Sequence, residues 1–229
     1  MKRDRDKSVT SDGDRVALVL DYDGTITEKD LLQEISQVFG DREVVAEVED
    51  ALREGRITLR DEITREYASV RVPFGEVLGW ALEHVRVRPG FRELVRLARE
   101  RGWHIVVVSS GFHELIEPVL EREGIEVELK ANRVIPDPGG WQVLWRDETV
   151  CAVCGQACKR NALPEADEIV YVGDGISDRC ATLASDRVFA TRGLAVYLEQ
   201  RGTSFERFRD FFDVLERLGL PAVGIHTKS

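Results

Sequence analysis

Three short apolar runs set the frame of the chain. Val16-Ala-Leu-Val-Leu20, His104-Ile-Val-Val-Val108 and Glu168-Ile-Val-Tyr-Val172 are continuous or nearly so, and rich in β-branched residues. Continuous runs of this kind, rather than alternating ones, suit strands covered on both faces of a parallel sheet. Each ends in a polar turn with glycine: Asp21-Tyr-Asp-Gly-Thr25, Ser109-Ser-Gly-Phe112 and Gly173-Asp-Gly-Ile-Ser-Asp178. Between the runs the period becomes helical, as over 91–101, where Phe91, Leu94, Val95 and Ala98 share a face. Strands alternating with helices predict a three-layer α/β core around a parallel sheet. Ligands of such sheets bind beyond the carboxyl ends of the strands, where the three polar turns stand.

Two stretches break the alternation. Residues 28–85 are helical in pattern, charged, and contain no buried-strand run, so they read as a helical cap inserted into the core. Lids of this kind exclude water and supply specificity contacts. Over 132–145, Pro136-Asp-Pro-Gly-Gly140 is a strong turn signal between two short strand-like runs, predicting a small β-hairpin. The expected organisation is a tail at 1–15, a core from 16–27 and 86–220, the cap at 28–85, and a second tail at 221–229.

Composition narrows the function. A 229-residue chain with 43% hydrophobic residues can bury a real core. Its formal net charge of -10, with no basic stripe, argues against nucleic acid as a partner. The apolar runs are too short to span a bilayer, and the charged first fifteen residues do not read as a secretory signal, so a mobile tail on a cytoplasmic protein is expected. Three of the four cysteines crowd into Cys151, Cys154 and Cys158, unlike a disulfide framework, which fits a reducing compartment.

The chemistry lies in the turns. Asp21 and Asp23 project to one side of a strand end, where two acids repel unless a cation sits beside them. A hard, oxygen-seeking ion such as Mg2+ answers this, and Asp174 adds a third carboxylate with Asp178 one helical turn later. Any one strand-end aspartate can simply cap a turn, but four converging ones rarely do. Ser109, with the Ser110-Gly111 turn opening a helix, offers hydroxyl and N–H groups to a phosphate, although an isolated serine there is usually a cap. Lys159 begins another expected helix and supplies a compact positive charge; alone it would read as a solvated lysine.

In this order the motifs closely resemble those of the haloacid-dehalogenase phosphatase superfamily: Asp-Tyr-Asp-Gly-Thr after the first strand, Ser109 after a later one, Lys159, then Gly-Asp-Gly-Ile-Ser-Asp. The resemblance covers Val16 to about Ala190 and implies a Rossmann-like core. The cap after the first motif is similar to that of the phosphoserine-phosphatase-like branch. By resemblance, Asp21 is the nucleophile that becomes an aspartyl-phosphate, and Asp23 is the general acid and then base. Mg2+ is implied at Asp21, the Asp23 carbonyl and Asp174, supported by Asp178. Ser109, Ser110, Lys159 and Thr25 form the implied phosphate set. Asp30 and Arg65 stand where phosphoserine phosphatases meet the substrate amine and carboxylate, although the family usually has glutamate at the first position. A solvated arginine is an equally good reading of Arg65.

The cysteine cluster before Lys159 resembles the methionine-salvage phosphatases and is usually missing from phosphoserine phosphatases. A ketopentenyl phosphate of methionine salvage is therefore one implied substrate, with phosphoserine or a related phosphotransfer as the alternative. A small phosphomonoester is the expected partner, and a second copy of the chain is a further candidate. A phospho-receiver module also uses aspartates, a hydroxyl and a lysine, but its phospho-accepting aspartate sits on a middle strand, and it has no insertion. A metal-binding interaction module is a third class. Cys151, Cys154 and Cys158 are candidate ligands for structural Zn2+, but no histidine completes the pattern and Cys180 reads as a buried helix residue, which favours a plain reduced loop.

Overall fold

The computed structural model describes residues 15–220. Both expected tails, 1–15 save Arg15 and 221–229, fall outside the described residues. Strand β1 (Val16–Leu20) ends at a tight turn, Tyr22–Ile26. Four helices follow: α1 (Leu31–Phe39), α2 (Arg42–Arg53), α3 (Leu59–Ala68) and α4 (Phe74–His84). The chain then forms α5 (Phe91–Glu100), β2 (His104–Phe112), α6 (His113–Arg122), β3 (Glu128–Ile135) and β4 (Gln142–Leu144). It closes with β5 (Glu168–Gly173), α7 (Arg179–Thr182), β6 (Arg187–Ala190), α8 (Arg192–Gln200), β7 (Glu206–Arg207) and α9 (Phe211–Arg217).

The strands form one sheet in the order β4-β3-β2-β1-β5-β6-β7, parallel except for the β3–β4 pair. All five residues of β1 are buried, which suits its central place between β2 and β5. Leu20 pairs with Val107 on one side and Val172 on the other. Asp21 therefore emerges level with the ends of both neighbours, and the register alone brings three polar turns together.

The helices α1–α4 leave and return at one place, because Thr27 and Val87 form an antiparallel bridge. Each of the first three has a polar N-cap: Asp30 accepts from Gln33 N, Asp41 from Glu43 N and Val44 N, and Thr58 with Asp61 closes a capping box. A second attachment comes from the β3–β4 hairpin. Trp141, 1% exposed, donates its Nε1 to Val72 O at 3.1 Å and its backbone N–H to Tyr67 O at 3.0 Å. Gly140 has φ +134°, and a Cβ there would lie 2.1 Å from Ala68 O, so only glycine permits this approach. The first hairpin strand is longer than its sequence suggests, since β3 pairs with β2 before it turns back. The last two strands, β6 and β7, of four and two residues, are too short to leave a periodic signal.

An acidic cluster lies inside the four helices. Glu66 on α3 is 5% exposed, and burial, the nearby Glu62, Glu49 and Asp30 carboxylates raise its pKa to about 8 against a weaker pull from Ser36. Folding raises this acid's pKa, so its contribution to stability is whole below the ordinary glutamate range and is lost as the pH climbs to about 8. We expect the melting temperature of the native chain to fall further between pH ~5 and ~8 than that of Glu66→Gln, with the two closest at the acid end. Parallel melting curves across that range would remove Glu66 as the titrating group.

Candidate active site

Asp21, Asp23, Ser109, Lys159, Asp174 and Asp178 converge at the carboxyl ends of β1, β2 and β5, and each is buried. Asp21 has extended backbone and Gly24 takes φ +73°, which bends the chain sharply across the strand end. A Cβ at Gly24 would lie 2.2 Å from Asp174 Oδ2, so the turn closes against that carboxylate only because glycine is there.

Lys159 is the hub. Its Nζ donates to Asp21 Oδ1, and to Asp178 Oδ1 at 2.8 Å. Burial works against its charge, but Asp178 and Asp21 outweigh that and raise its pKa, so the ammonium persists. Asp178 is saturated. Oδ1 also accepts from Tyr171 Oη at 2.8 Å, and Oδ2 accepts from Asp174 N and Gly175 N at 3.0 Å each. With four donors on its two oxygens, Asp178 orients Lys159 and the Gly173–Gly175 turn.

The remaining carboxylate oxygens are poorly served. Asp21 Oδ2 and Asp174 Oδ1 each receive only a long 3.4 Å contact from Thr25 Oγ1, and Asp174 Oδ2 only Arg192 Nη1 at 3.5 Å. Burial first and then Asp178 raise Asp21, against the pull of Lys159, and burial with Asp178 raises Asp174 to about 6. One ammonium does not neutralise four buried carboxylates. Oxygens of Asp21, Asp174 and Asp178 lie within 4.8 Å of one another, an all-oxygen set that suits a hard divalent cation such as magnesium.

Asp23 stands apart. Its Oδ2 accepts from Ser109 Oγ at 3.1 Å, and burial followed by the Asp30 carboxylate raises its pKa to about 7, despite that hydrogen bond and Lys159. It can therefore hold or give up a proton near neutral pH. Ser109 Oγ in turn accepts from Gly111 N at 2.7 Å.

Above these groups opens a cleft of about 1200 Å³, lined by Ser109, Ser110 and Lys159 below and by α3 residues including Arg60 and Glu62 above. Arg60 lies 4.6 Å over the Trp145 ring and pairs with the exposed Glu148. Arg65 is not among the lining residues. It pairs with Glu47 of α2 at 2.7 Å, because five residues turn a helix side chain by about 140° away from Arg60. The structure thus places Arg65 apart from the other residues expected at the site. Thr25 is fully buried, and its hydroxyl lies 3.4 Å from both the Asp21 and the Asp174 carboxylate. Asp30 caps α1 and acts electrostatically on Asp23. Lys159 starts one short turn, Lys159–Ala162, where a fuller helix was expected. The cysteine expectation needs revision too, since Cys180 joins Cys151, Cys154 and Cys158 instead of packing apart from them.

A model of the haloacid dehalogenase-like hydrolase family matches residues 18–182. The chain belongs to this family. Among relatives, the 2-hydroxy-3-keto-5-methylthiopentenyl-1-phosphate phosphatase of Geobacillus kaustophilus is 28% identical over 217 residues, covering 89% of this chain and 96% of that one. Polyol phosphate phosphatase PYP1 of Saccharomyces cerevisiae is 26% identical over 220 residues, covering 88% and 91%. A solved phosphoserine phosphatase, described as a phospho-aspartyl intermediate analogue, superposes with a TM-score of 0.69 at 20% identity, covering 90% and 99%, which establishes the shared fold.

Sequence reasoning about this hydrolase missed Arg88, Tyr171, Asn132 and Arg60. Arg88 braces the first turn, donating Nε to Thr25 O at 2.8 Å and Nη2 to Gly24 O at 2.7 Å. Its position where the chain returns from the insertion was the available signal. Where a turn was expected at 109–112, β2 runs on to Phe112 with a shift of register after Val108, and Asn132 Nδ2 donates to Ser110 O at 2.7 Å and fixes that irregular strand end from β3. Replacing Arg88 by alanine should leave a folded protein with activity down on the order of 100-fold, because the turn carrying Asp21 and Asp23 loses its brace. Unchanged kcat/KM with an unchanged circular dichroism spectrum would show that the turn holds without it.

Proposed function

We propose that this protein hydrolyses a small-metabolite phosphomonoester by passing the phosphoryl group through Asp21. The observation that carries the reading is the placing of two aspartates of one buried turn against different partners. Asp21 lies beside a persistent ammonium, whereas Asp23, hydrogen-bonded to Ser109, has its pKa raised to about 7. One is placed to attack and the other to carry a proton.

Asp21 would attack phosphorus through a carboxylate oxygen as the ester P–O bond breaks, while Asp23 donates its proton to the departing alkoxide. Asp23 then accepts a proton from water, whose oxygen attacks phosphorus and frees Asp21 and inorganic phosphate. Lys159 and Ser109 would bind the transferring phosphoryl oxygens, and Ser110 edges the same turn. Magnesium held by Asp21, the Asp23 carbonyl and Asp174, with Asp178 supporting, would neutralise the charge that phosphate brings to this acidic site. The residues α1–α4 would close over the substrate and select it.

The relatives act on a methylthiopentenyl phosphate and on polyol phosphates by name, and the cleft here combines cations with an acidic cap wall. A polar, non-aromatic phosphate ester fits both. The four free cysteines suit a reducing compartment, and among the described residues no helix is long and apolar enough to cross a membrane.

Asp21→Asn should lower kcat at least about a thousand-fold with the fold intact, since an amide is nearly isosteric but cannot attack phosphorus. Ready turnover of p-nitrophenyl phosphate by the pure variant would refute the nucleophile. Brief EDTA treatment should silence the enzyme and added magnesium should restore it; full activity in excess EDTA would exclude the metal. For selectivity, Arg60→Ala should lower kcat/KM on the best natural ester roughly tenfold more than on p-nitrophenyl phosphate, and Arg65→Ala should affect neither. Equal losses on both substrates would take Arg60 out of recognition.

A further inference from the structure

The segment 146–158 has no helix or strand, and of its residues only Cys151 is buried. Val150 and Val153 point outward, 66% and 61% exposed. A loop of this length with so little buried apolar surface needs another source of order. Yet it leads directly into Lys159, the buried hub of the site, whose position tolerates little slack.

All four cysteines of the chain meet here. Cys151 and Cys154 come from one tight turn, Cys151-Ala-Val-Cys-Gly155, closed by Gly155 N donating to Cys151 O at 2.9 Å, with Gly155 at φ +72°. The Val153 N–H points at Cys151 Sγ, 3.4 Å away, as a donor to a thiolate would. Cys158 precedes Lys159, and Cys180 reaches in from α7. The four sulfur atoms lie within 4.8 Å of one another, and all four are free of disulfides. Four thiolates about 2.3 Å from a central zinc ion stand about 3.8 Å apart along each tetrahedral edge. The Cys151 Sγ–Cys180 Sγ separation is 3.8 Å.

We propose that Cys151, Cys154, Cys158 and Cys180 form a closed four-thiolate site for a structural zinc ion, separate from the carboxylate site. Soft sulfur ligands in tetrahedral array select zinc over magnesium, and a set with no open position is structural rather than catalytic. The ion ties the loop before Lys159 to the helix that begins just after Asp178. Those two residues meet at 2.8 Å, so the clamp holds one contact of the catalytic centre from behind. This positional consequence rests on the phosphatase reading; the metal site itself does not.

The test uses the full chain, purified under reducing conditions without chelator. Elemental analysis should find about one equivalent of zinc, and mercurial titration of the native protein should release it as about four thiols react. Cobalt loaded in place of zinc should show the intense visible bands of a tetrahedral thiolate site, weakened in Cys180→Ser. These readouts hold whether or not the protein is a phosphatase. Zinc below half an equivalent with all four thiols freely reactive, or a disulfide among them in the isolated protein, would overturn the proposal. So would a Cys180→Ser variant that retains zinc and the full cobalt spectrum. Should that variant fail to fold, the titration of the native chain decides alone.

Discussion

Four buried carboxylates share the end of the sheet with one buried ammonium, and the rest of the structure is arranged to tolerate that imbalance. The repulsion cannot be relieved by water, because the groups are buried where the effective dielectric is low. It is held instead by fixed donors: Lys159 on Asp21 and Asp178, Tyr171 and two backbone N–H groups on Asp178, and Ser109 on Asp23. These donors are unevenly shared. Asp178 receives four and becomes a strut, whereas Asp21 and Asp174 keep oxygens with only long contacts and stay available for chemistry. The same burial that makes the site costly to assemble raises the pKa of both Asp21 and Asp23, and what distinguishes the two is the partner each meets, Lys159 for one and Ser109 for the other.

Much of this was legible in the sequence where a single element carries the signal. β1 announces itself because all its residues are buried, and α5 because Phe91, Leu94, Val95 and Ala98 fall on the face it buries. The chemistry-bearing turns follow from the strands that precede them, so Asp21, Asp23, Ser109, Asp174 and Asp178 could be found in advance. What escaped depends on distance across the fold. Arg88 acts on backbone carbonyls 61 to 64 residues away, and no local pattern distinguishes it from a solvated arginine. Arg65 and Arg60 share a helix, and only its docking against the hairpin decides which one faces the cleft. Cys180 looked like packing because its three partners lie more than twenty residues earlier in the chain.

The cleft is a joint product of the insertion and the hairpin. Trp141 anchors the hairpin to the α3–α4 connection, and Trp145 with Glu148 receives Arg60. The wall of the cleft is therefore positioned by β3, whose other edge pairs with β2 and whose Asn132 holds Ser110 at the end of β2. The cleft wall and the Ser110 segment share one strand.

The Thr27–Val87 bridge has a consequence for how such a protein can diversify. Because the excursion begins and ends at neighbouring backbone positions, the core alone closes the loop, and lengthening or shortening the excursion changes the closure entropy only logarithmically, by about 0.6 kcal/mol per doubling. A lineage can therefore exchange most of the inserted sequence without disturbing the register that sets Asp21 between its neighbours. What such an exchange must preserve includes a main-chain acceptor for Trp141, a glycine-sized gap for residue 140, a ring to pack on Phe112 and the acid at Asp30 that acts on Asp23. The sheet keeps its register, and most of what approaches it from above is left free to drift.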